Sequence, residues 1–384
     1  MLRISLDVET EQPIILARSH FGGNIVYTID YISGSAIRGA MVSKFIERNG
    51  KPEDNWEKFK KYFCKDMVRF ENIYIADGSN YVFPISFSSK TCKAYNGFLN
   101  DDVKTGPYHG ISDYLTKDIP DSCPKCEHNT PLESINGFYS VPDPDSYTLI
   151  RRVNIRKGFS IHNEIENETQ RTKEGILYTL EHIREEQEFK GSIIFADKGI
   201  REDFKNDVIG GNDEFYLYVG QAKSRGMGKI MVKWAFDDFL FDQGFFPPLE
   251  KRFNNFDKNC FSITLYSDAI LVDEYLRGLT SLSSTYLSKI LKVELVTVKT
   301  FSSYHIVSGW HSGAHLPKED DIAITKGSTF LFRYNGDNLE KLIKGLKTLE
   351  KEGIGLRRNE GFGRIVICDP YHLNVNELER YDEH

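Results

Sequence analysis

Apolar positions along the chain recur with two different periods, and the switches between them outline its elements. From Met1 to Glu9, Leu2, Ile4, Leu6 and Val8 alternate with polar residues, which puts every second side chain on one face and predicts a first strand. Phe261 to Leu265 repeats the alternation where a second domain would open. Between Ser35 and Arg48 the spacing becomes helical: Ile37, Met41 and Phe45 share a face, Ser35 stands where an N-cap is expected, and Gly50 stands where a helix would stop. Asn338 to Glu352 predicts the clearest helix, with Leu339, Leu342, Ile343, Leu346 and Leu349 on one side and Gly353 just past the end.

The chain also repeats itself. Residues 215–233 and 353–367 both carry a glycine, five residues, a glycine, an apolar residue, a glycine and then a base. Gly220 and Gly355, Gly226 and Gly361, and Gly228 and Gly363 are each 135 positions apart. Upstream, Lys190-Gly191-Ser192-Ile193-Ile194-Phe195 matches Lys326-Gly327-Ser328-Thr329-Phe330-Leu331 at an offset of 136. Strand, helical segment, glycine loop and strand thus recur in the same order, which predicts an α+β protein of two ferredoxin-like (RRM-like, βαββαβ) domains. The expected bounds are 1–240 and 255–384, with a polar and aromatic linker over 237–259. A length of 384 residues suits two cores better than one.

Composition narrows the class. The chain is 40% apolar and 27% charged, no apolar stretch reaches the length of a membrane span, and the residues from Met1 to Asp7 lack a signal peptide's layout, so a soluble cytoplasmic protein is expected. Net charge is -7, which disfavours coating nucleic acid through an overall field and requires any RNA site to be a local basic patch.

The six cysteines read as metal chemistry in a reducing compartment rather than as a disulfide framework. Cys64, Cys260 and Cys368 stand alone, whereas Cys123-Pro124-Lys125-Cys126 is a knuckle whose short turn aims two thiolates at one ion. Tetrahedral Zn²⁺ then needs two further ligands, for which Cys92 and His109 are the candidates and His128 a competitor. Such a structural site would staple an insertion over 89–138 that lacks the apolar content for its own core. A redox CxxC is the alternative, although no thioredoxin-like βαβ pattern surrounds it.

Glycines between strands permit positive φ and let a phosphate or ribose approach backbone N–H groups. Around them stand Lys223, Arg225 and Lys229 in the first loop and Arg357, Arg358 and Arg364 in the second, a supply of counter-charge for phosphate. One such hairpin could equally be a tight turn with solvated charges; duplication with retained cations favours a binding role.

The run Gly353-Ile354-Gly355, with Arg357 and Arg358 before Gly361-Phe362-Gly363, resembles the glycine-rich signature of the RAMP superfamily of CRISPR-associated RNA-binding proteins. The first loop keeps the second half of that signature, with Tyr218 where its first glycine belongs. Ile32-Ser33-Gly34-Ser35-Ala36-Ile37-Arg38-Gly39-Ala40 is similar to the family's segment at the start of its first helix, with Ser33 in place of the usual proline. Arg151-Arg152-Val153-Asn154-Ile155 and Glu174-Gly175-Ile176-Leu177-Tyr178 resemble its basic thumb and the strand after it.

Two such domains with a cysteine-rich insertion look closest to the type III-D effector subunit near the 5′ handle of the guide RNA. The resemblance implies that the glycine loops line a groove for guide RNA (crRNA), with other subunits of a type III complex as partners and an antiviral role. It further implies phosphate contacts from Ser35 and Arg38, and from a loop over 151–175 carrying Arg151, Arg152, Arg156, Lys157, Arg171 and Lys173. Phe362 and Met227 would pack on ribose or base. For Arg38 the plainer reading is an ion pair with an acid, for the 151–175 loop a surface hairpin, and for the two apolar residues a place in the core.

Two other function classes stay open. Some RAMP proteins cut CRISPR repeat RNA without metal through a histidine base, and His20 follows the first strand; others cut target RNA with an aspartate, and Asp30 lies four residues before Gly34. Neither has a supporting constellation, so no catalysis is expected. A zinc-stabilised scaffold that touches only protein would suit the acidic net charge.

Overall fold

The computed structural model describes residues 1–17, 25–78, 80–101, 107–142, 147, 149–165, 172–235, 246–257, 259–311 and 316–379. The chain divides into two compact units, Met1–Ala76 with Ile155–Leu240 and Asn359–Gly361, and Asp77–Asn154 with Phe241–Arg358 and Phe362–His384. No described helix is long and apolar enough to cross a membrane.

In the first unit β1 (Leu2–Thr10) is followed by α1 (Gly34–Asn49), β2 (Val68–Phe70), β3 (Glu188–Phe195), α2 (Lys198–Ile209), β4 (Glu214–Tyr218) and β5 (Lys229–Ala235). They form an antiparallel sheet in the order β4-β5-β1-β3-β2. The alternation in β1 does what it predicts: Ile4, Leu6 and Val8 are buried while Asp7 and Glu9 are exposed. Both helices pack an aromatic layer, in which Phe204 of α2 lies 6.0 Å from Phe70, 5.4 Å from Phe195 and 6.3 Å from Trp234, ring centre to ring centre. Burying a ring of this size contributes roughly 2–3 kcal/mol, and truncating one costs about 3–5 kcal/mol.

The second unit repeats the plan with β6 (Cys260–Leu265), α3 (Ser284–Leu291), β7 (Leu295–Phe301), β8 (Thr329–Tyr334), α4 (Leu339–Glu352) and β9 (Ile365–Ile367), in the sheet order β7-β8-β6-β9. α4 lies where its periodicity puts it: Asn338 accepts from the Lys341 amide as N-cap, Gly353 closes the helix at φ 71°, and Leu342, Leu346 and Leu349 are buried. In both units the first strand lies between the third and the last, and the second pairs with the third; the first unit carries β4 as an additional edge strand.

The register of the repeat differs from the sequence match. Thr10 pairs with Ile230 and Leu265 with Ile365, which preserves the offset of 135. Gly191, however, pairs with Leu6 in mid-strand, whereas Gly327 precedes β8 at φ 85°. Phe332, paired with Phe261, is the true counterpart of Gly191, at an offset of 141. The similar hexapeptides are therefore five residues out of register, a coincidence of two Lys-Gly-Ser runs.

Three other expectations are corrected. The N-cap of α1 is Ser33, not Ser35: its hydroxyl accepts from the Ala36 amide and its backbone is extended, while Ser35 already lies inside the helix. The span expected as a linker holds, in its described part, a helix over Leu249–Asn254 whose Leu249, Arg252 and Phe253 are buried. Arg252 forms a bidentate pair with Glu350, at 2.8 and 3.0 Å, so this segment belongs to a core. The stretch 89–138, expected as an insertion of the first domain, packs in the second unit.

Candidate nucleic-acid loops and a candidate metal centre

The two glycine loops share one backbone. In the first, Gly220, Ala222, Gly226 and Gly228 have φ of 77°, 56°, 76° and 90°; in the second, Gly355, Arg357, Gly361 and Gly363 have 79°, 53°, 93° and 77°. Their hydrogen bonds match as well. The Val219 amide donates to Gly228 O at 2.9 Å and the Ile354 amide to Gly363 O at 2.8 Å. Gln221 donates to Ile15 O and Leu356 to Ile270 O, each at 2.9 Å; Gly228 donates to Pro13 O and Gly363 to Asp268 O, each at 2.8 Å.

The glycines have a steric cause. A Cβ on Gly220 would lie 2.2 Å from Ile15 O, and one on Gly355 would lie 2.3 Å from Ile270 O. Tyr218 replaces the first glycine of the motif because the helix in the first unit ends earlier, at Gly210 (φ 70°), and β4 is interposed.

Most of the cations of both loops are already engaged. Arg357 Nη1 lies 2.7 Å from Asp321 Oδ2, and its guanidinium stacks 4.9 Å from the Phe362 ring. Lys229 pairs with Glu11 at 2.5 Å and sits 4.1 Å above the Tyr216 ring. Arg225 donates to Tyr178 Oη at 2.9 Å, and the Arg364 guanidinium lies 5.9 Å from the Tyr266 ring. Burial lowers the Lys223 ammonium pKa. Arg358 lies in the short 3₁₀ turn Arg358–Glu360. Met227 is a core residue, packed with Ile15 and Leu180.

The helix-start and thumb candidates are engaged too. Arg38 donates to Phe63 O and lies 3.8 Å from Glu360, the ion-pair reading. At the start of α1 the Gly34 amide donates to Asn72 Oδ1 and the Ala36 amide to Ser33 Oγ, so its first turn is partly satisfied by side chains. Ser35 Oγ lies 3.0 Å from Ser33 Oγ. Arg151 grips Asp77 through two nitrogens, at 2.6 and 3.0 Å, and this hydrogen bonding raises its already high pKa. Arg152 donates to Asn136 O at 3.0 Å and Arg156 to Glu186 O. Lys157 bridges Asp30 (2.5 Å) and Glu181 (3.2 Å). His20, Arg171 and the side chain of Lys173 lie outside the described residues. Sequence reasoning missed the carboxylates, because each is distant in sequence from the base it neutralises.

In the second unit the strand Ser89–Cys92 pairs with Ile111–Asp113 on one side and Leu132–Ser134 on the other. Its last residue, Cys92, meets His109, Cys123 and Cys126, and the four ligand atoms all lie within 4.8 Å of one another. Cys92 Sγ is 3.6 Å from Cys126 Sγ, and His109 Nδ1 is 3.3 Å from Cys123 Sγ and 3.5 Å from Cys126 Sγ. A tetrahedron of metal–sulfur bonds near 2.3 Å has edges of about 3.8 Å, so three soft donors and one borderline donor at these separations fit Zn²⁺.

The knuckle is set by its backbone: the Cys126 amide donates to Cys123 O, the Cys123 amide to Thr130 O, and the Lys125 amide points at the Cys123 sulfur. His109 is oriented by Tyr95, whose ring stacks on the imidazole at 4.3 Å and whose carbonyl accepts the His109 amide. Burial pushes the Cys123 thiol up to about 12 and depresses the His109 imidazole. All six cysteines are free thiols. His128, the competing ligand, is exposed and outside the cluster.

The family model described as CRISPR-associated protein (Cas_Cmr3) matches residues 148–370, and that of the RAMP superfamily matches residues 16–231. Comparison with curated proteins finds no match. Among solved structures the chain is similar to one in the Type III-B Cmr-beta bound to cognate target RNA and AMPPnP, at 13% identity, 85% of this chain, 86% of that chain and a TM-score of 0.46. A chain of Cmr-beta bound to cognate target RNA matches at 12%, 94%, 96% and 0.47, and one of the Type IV-B CRISPR Complex at 10%, 61%, 91% and 0.29. With each family model spanning more than half of its length, the chain belongs to the CRISPR-associated Cas_Cmr3 family and the RAMP superfamily.

Proposed function

We propose that this chain is a non-catalytic subunit of a type III CRISPR effector complex, built from two ferredoxin-like domains and a zinc-stapled insertion, and that it holds guide RNA with its two glycine loops. The observation that carries the reading is the match of the loops in φ, hydrogen bonding and flanking cations across 135 residues. Two copies of one strained loop, each presenting bases beside left-handed backbone, suit a phosphate contact apiece. The type III-D assignment near the 5′ handle belongs to the same proposal, as does Zn²⁺ in the cysteine site.

RNA recovered with the native complex, compared between the wild type and an Arg357→Ala, Arg358→Ala, Arg364→Ala variant, tests the reading. Enrichment of guide RNA that the variant loses supports it. A second reading, a scaffold that contacts protein alone, is favoured by the carboxylates already paired with Arg38, Arg151, Lys157, Lys229 and Arg357. If neither protein enriches RNA, the scaffold takes first place.

A further inference from the structure

Lys125 lies inside the Cys123–Cys126 knuckle, and its Nζ is sealed from solvent with no hydrogen-bond partner among the described residues. Lysine normally threads its stem along apolar surface and leaves its ammonium in water; this one ends in the protein. A buried ammonium without a partner is strongly unfavourable, and only a nearby negative charge offsets it.

Neutral thiols and a neutral imidazole supply no anion. Three thiolates and an imidazole around a divalent cation do, because they leave one net negative charge. We propose that the Lys125 ammonium is the countercharge of the Cys92–His109–Cys123–Cys126 site, neutralising the trithiolate centre from beyond its ligands. This rests on the metal reading given above. Lys125 is thus a positioning residue, and the Cys123–Cys126 knuckle carries two of the four ligands together with their charge balance.

The test uses the full chain as wild type, Lys125→Met and Lys125→Arg, each loaded with Zn²⁺ and, separately, with Co²⁺. Sulfur-to-cobalt charge-transfer bands report whether the thiolates bind, and chelator competition reports Zn²⁺ affinity. In Lys125→Met the bands persist and affinity falls about 10- to 100-fold, the usual effect of removing an outer partner. Lys125→Arg restores most of it, which a stem that merely fills space would not require. Equal affinity in Lys125→Met and the wild type, with bands intact in both, overturns the proposal. A wild type that binds no stoichiometric Zn²⁺ and shows no cobalt bands overturns the metal reading itself, and the countercharge with it. Should Lys125→Met fail to fold, Lys125→Arg still decides: metal binding lost in a folded arginine variant, where the charge is kept, also overturns the proposal.

Discussion

Ala222 and Arg357 stand 135 residues apart and hold the same left-handed backbone, at φ 56° and 53°. Neither is a glycine, so each loop keeps a conformation that costs an L-residue about 1–2 kcal/mol. The surrounding hydrogen bonds, the same in both copies, sustain it.

The glycines of the loops are not equivalent in what they tolerate. A Cβ at Gly363 would lie 1.8 Å from Ile354 O, against the backbone itself, whereas one at Gly226 meets nothing within 4 Å. Gly226→Ala therefore carries only the conformational cost, about 1 kcal/mol, and Gly363→Ala adds a forced backbone shift, for a total of about 3 kcal/mol or more. Urea midpoints of the two variants check this, and equal losses would refute the steric account.

Asp321 competes with phosphate for the Arg357 guanidinium, holding its Nη1 at 2.7 Å. If it binds RNA, Asp321→Asn releases it and tightens RNA binding by roughly five-fold, the worth of a partly exposed pair of about 1 kcal/mol. Arg357→Ala weakens binding and lowers the salt slope by about 0.7. Titrations of a guide-length RNA at several salt concentrations measure both. Unchanged or weaker binding by Asp321→Asn would assign Arg357 to structure.

Zinc binding to the cysteine site is expected to release about three protons at neutral pH, because the thiols must ionise. Burial holds the Cys123 thiol near 12, so that proton is displaced by metal rather than already absent. Indicator absorbance during Zn²⁺ addition to metal-free protein in weak buffer counts them. Chelation should then raise hydrogen exchange across residues 107–134, and Cys126→Ser should do so without chelator. Full protection in chelated protein would mean that the insertion holds without metal.

How far the fold could be read depended on the range of the cause. α4 was legible because five apolar residues on one face and a terminal glycine are local facts, and the loops because their glycines answer a local φ. The clustering of Cys92, His109, Cys123 and Cys126 was legible from ligand type, because few thiols and imidazoles lie within the insertion. The cap of α1 was misplaced because two serines flank Gly34 and only the extended backbone of Ser33 separates them. Long-range polar pairing was invisible. Nothing near Arg357 in sequence points to Asp321, and nothing in the insertion announces that Asp113 meets His372, 259 residues away.

That last pair sets a pH dependence. Both residues are fully buried, with His372 Nδ1 3.0 Å from Asp113 Oδ1 and Nε2 2.7 Å from Thr264 Oγ1 and 3.2 Å from Thr329 Oγ1. Burial alone would raise the Asp113 carboxyl, but the charge and hydrogen bond of His372 and a hydrogen bond from Ser88 hold it below its usual range. Burial alone would lower His372, but the charge and hydrogen bond of Asp113, with the charge of Asp369, raise it. The raised histidine contributes stability in full below its unfolded value of about 6.5 and loses it as pH rises through the folded value. The depressed aspartate contributes in full above about pH 3.9 and loses it as pH falls through its folded value. The pair is therefore worth most between about pH 4 and 6.5. His372→Gln should cost about 3–5 kcal/mol at pH 6, because it leaves Asp113 buried and unpaired. The difference from wild type should shrink as pH rises toward 9, where the wild type loses the charge as well. Urea unfolding of both proteins from pH 5 to 9 measures the difference directly; a constant gap over that range would mean that His372 acts through its hydrogen bonds alone.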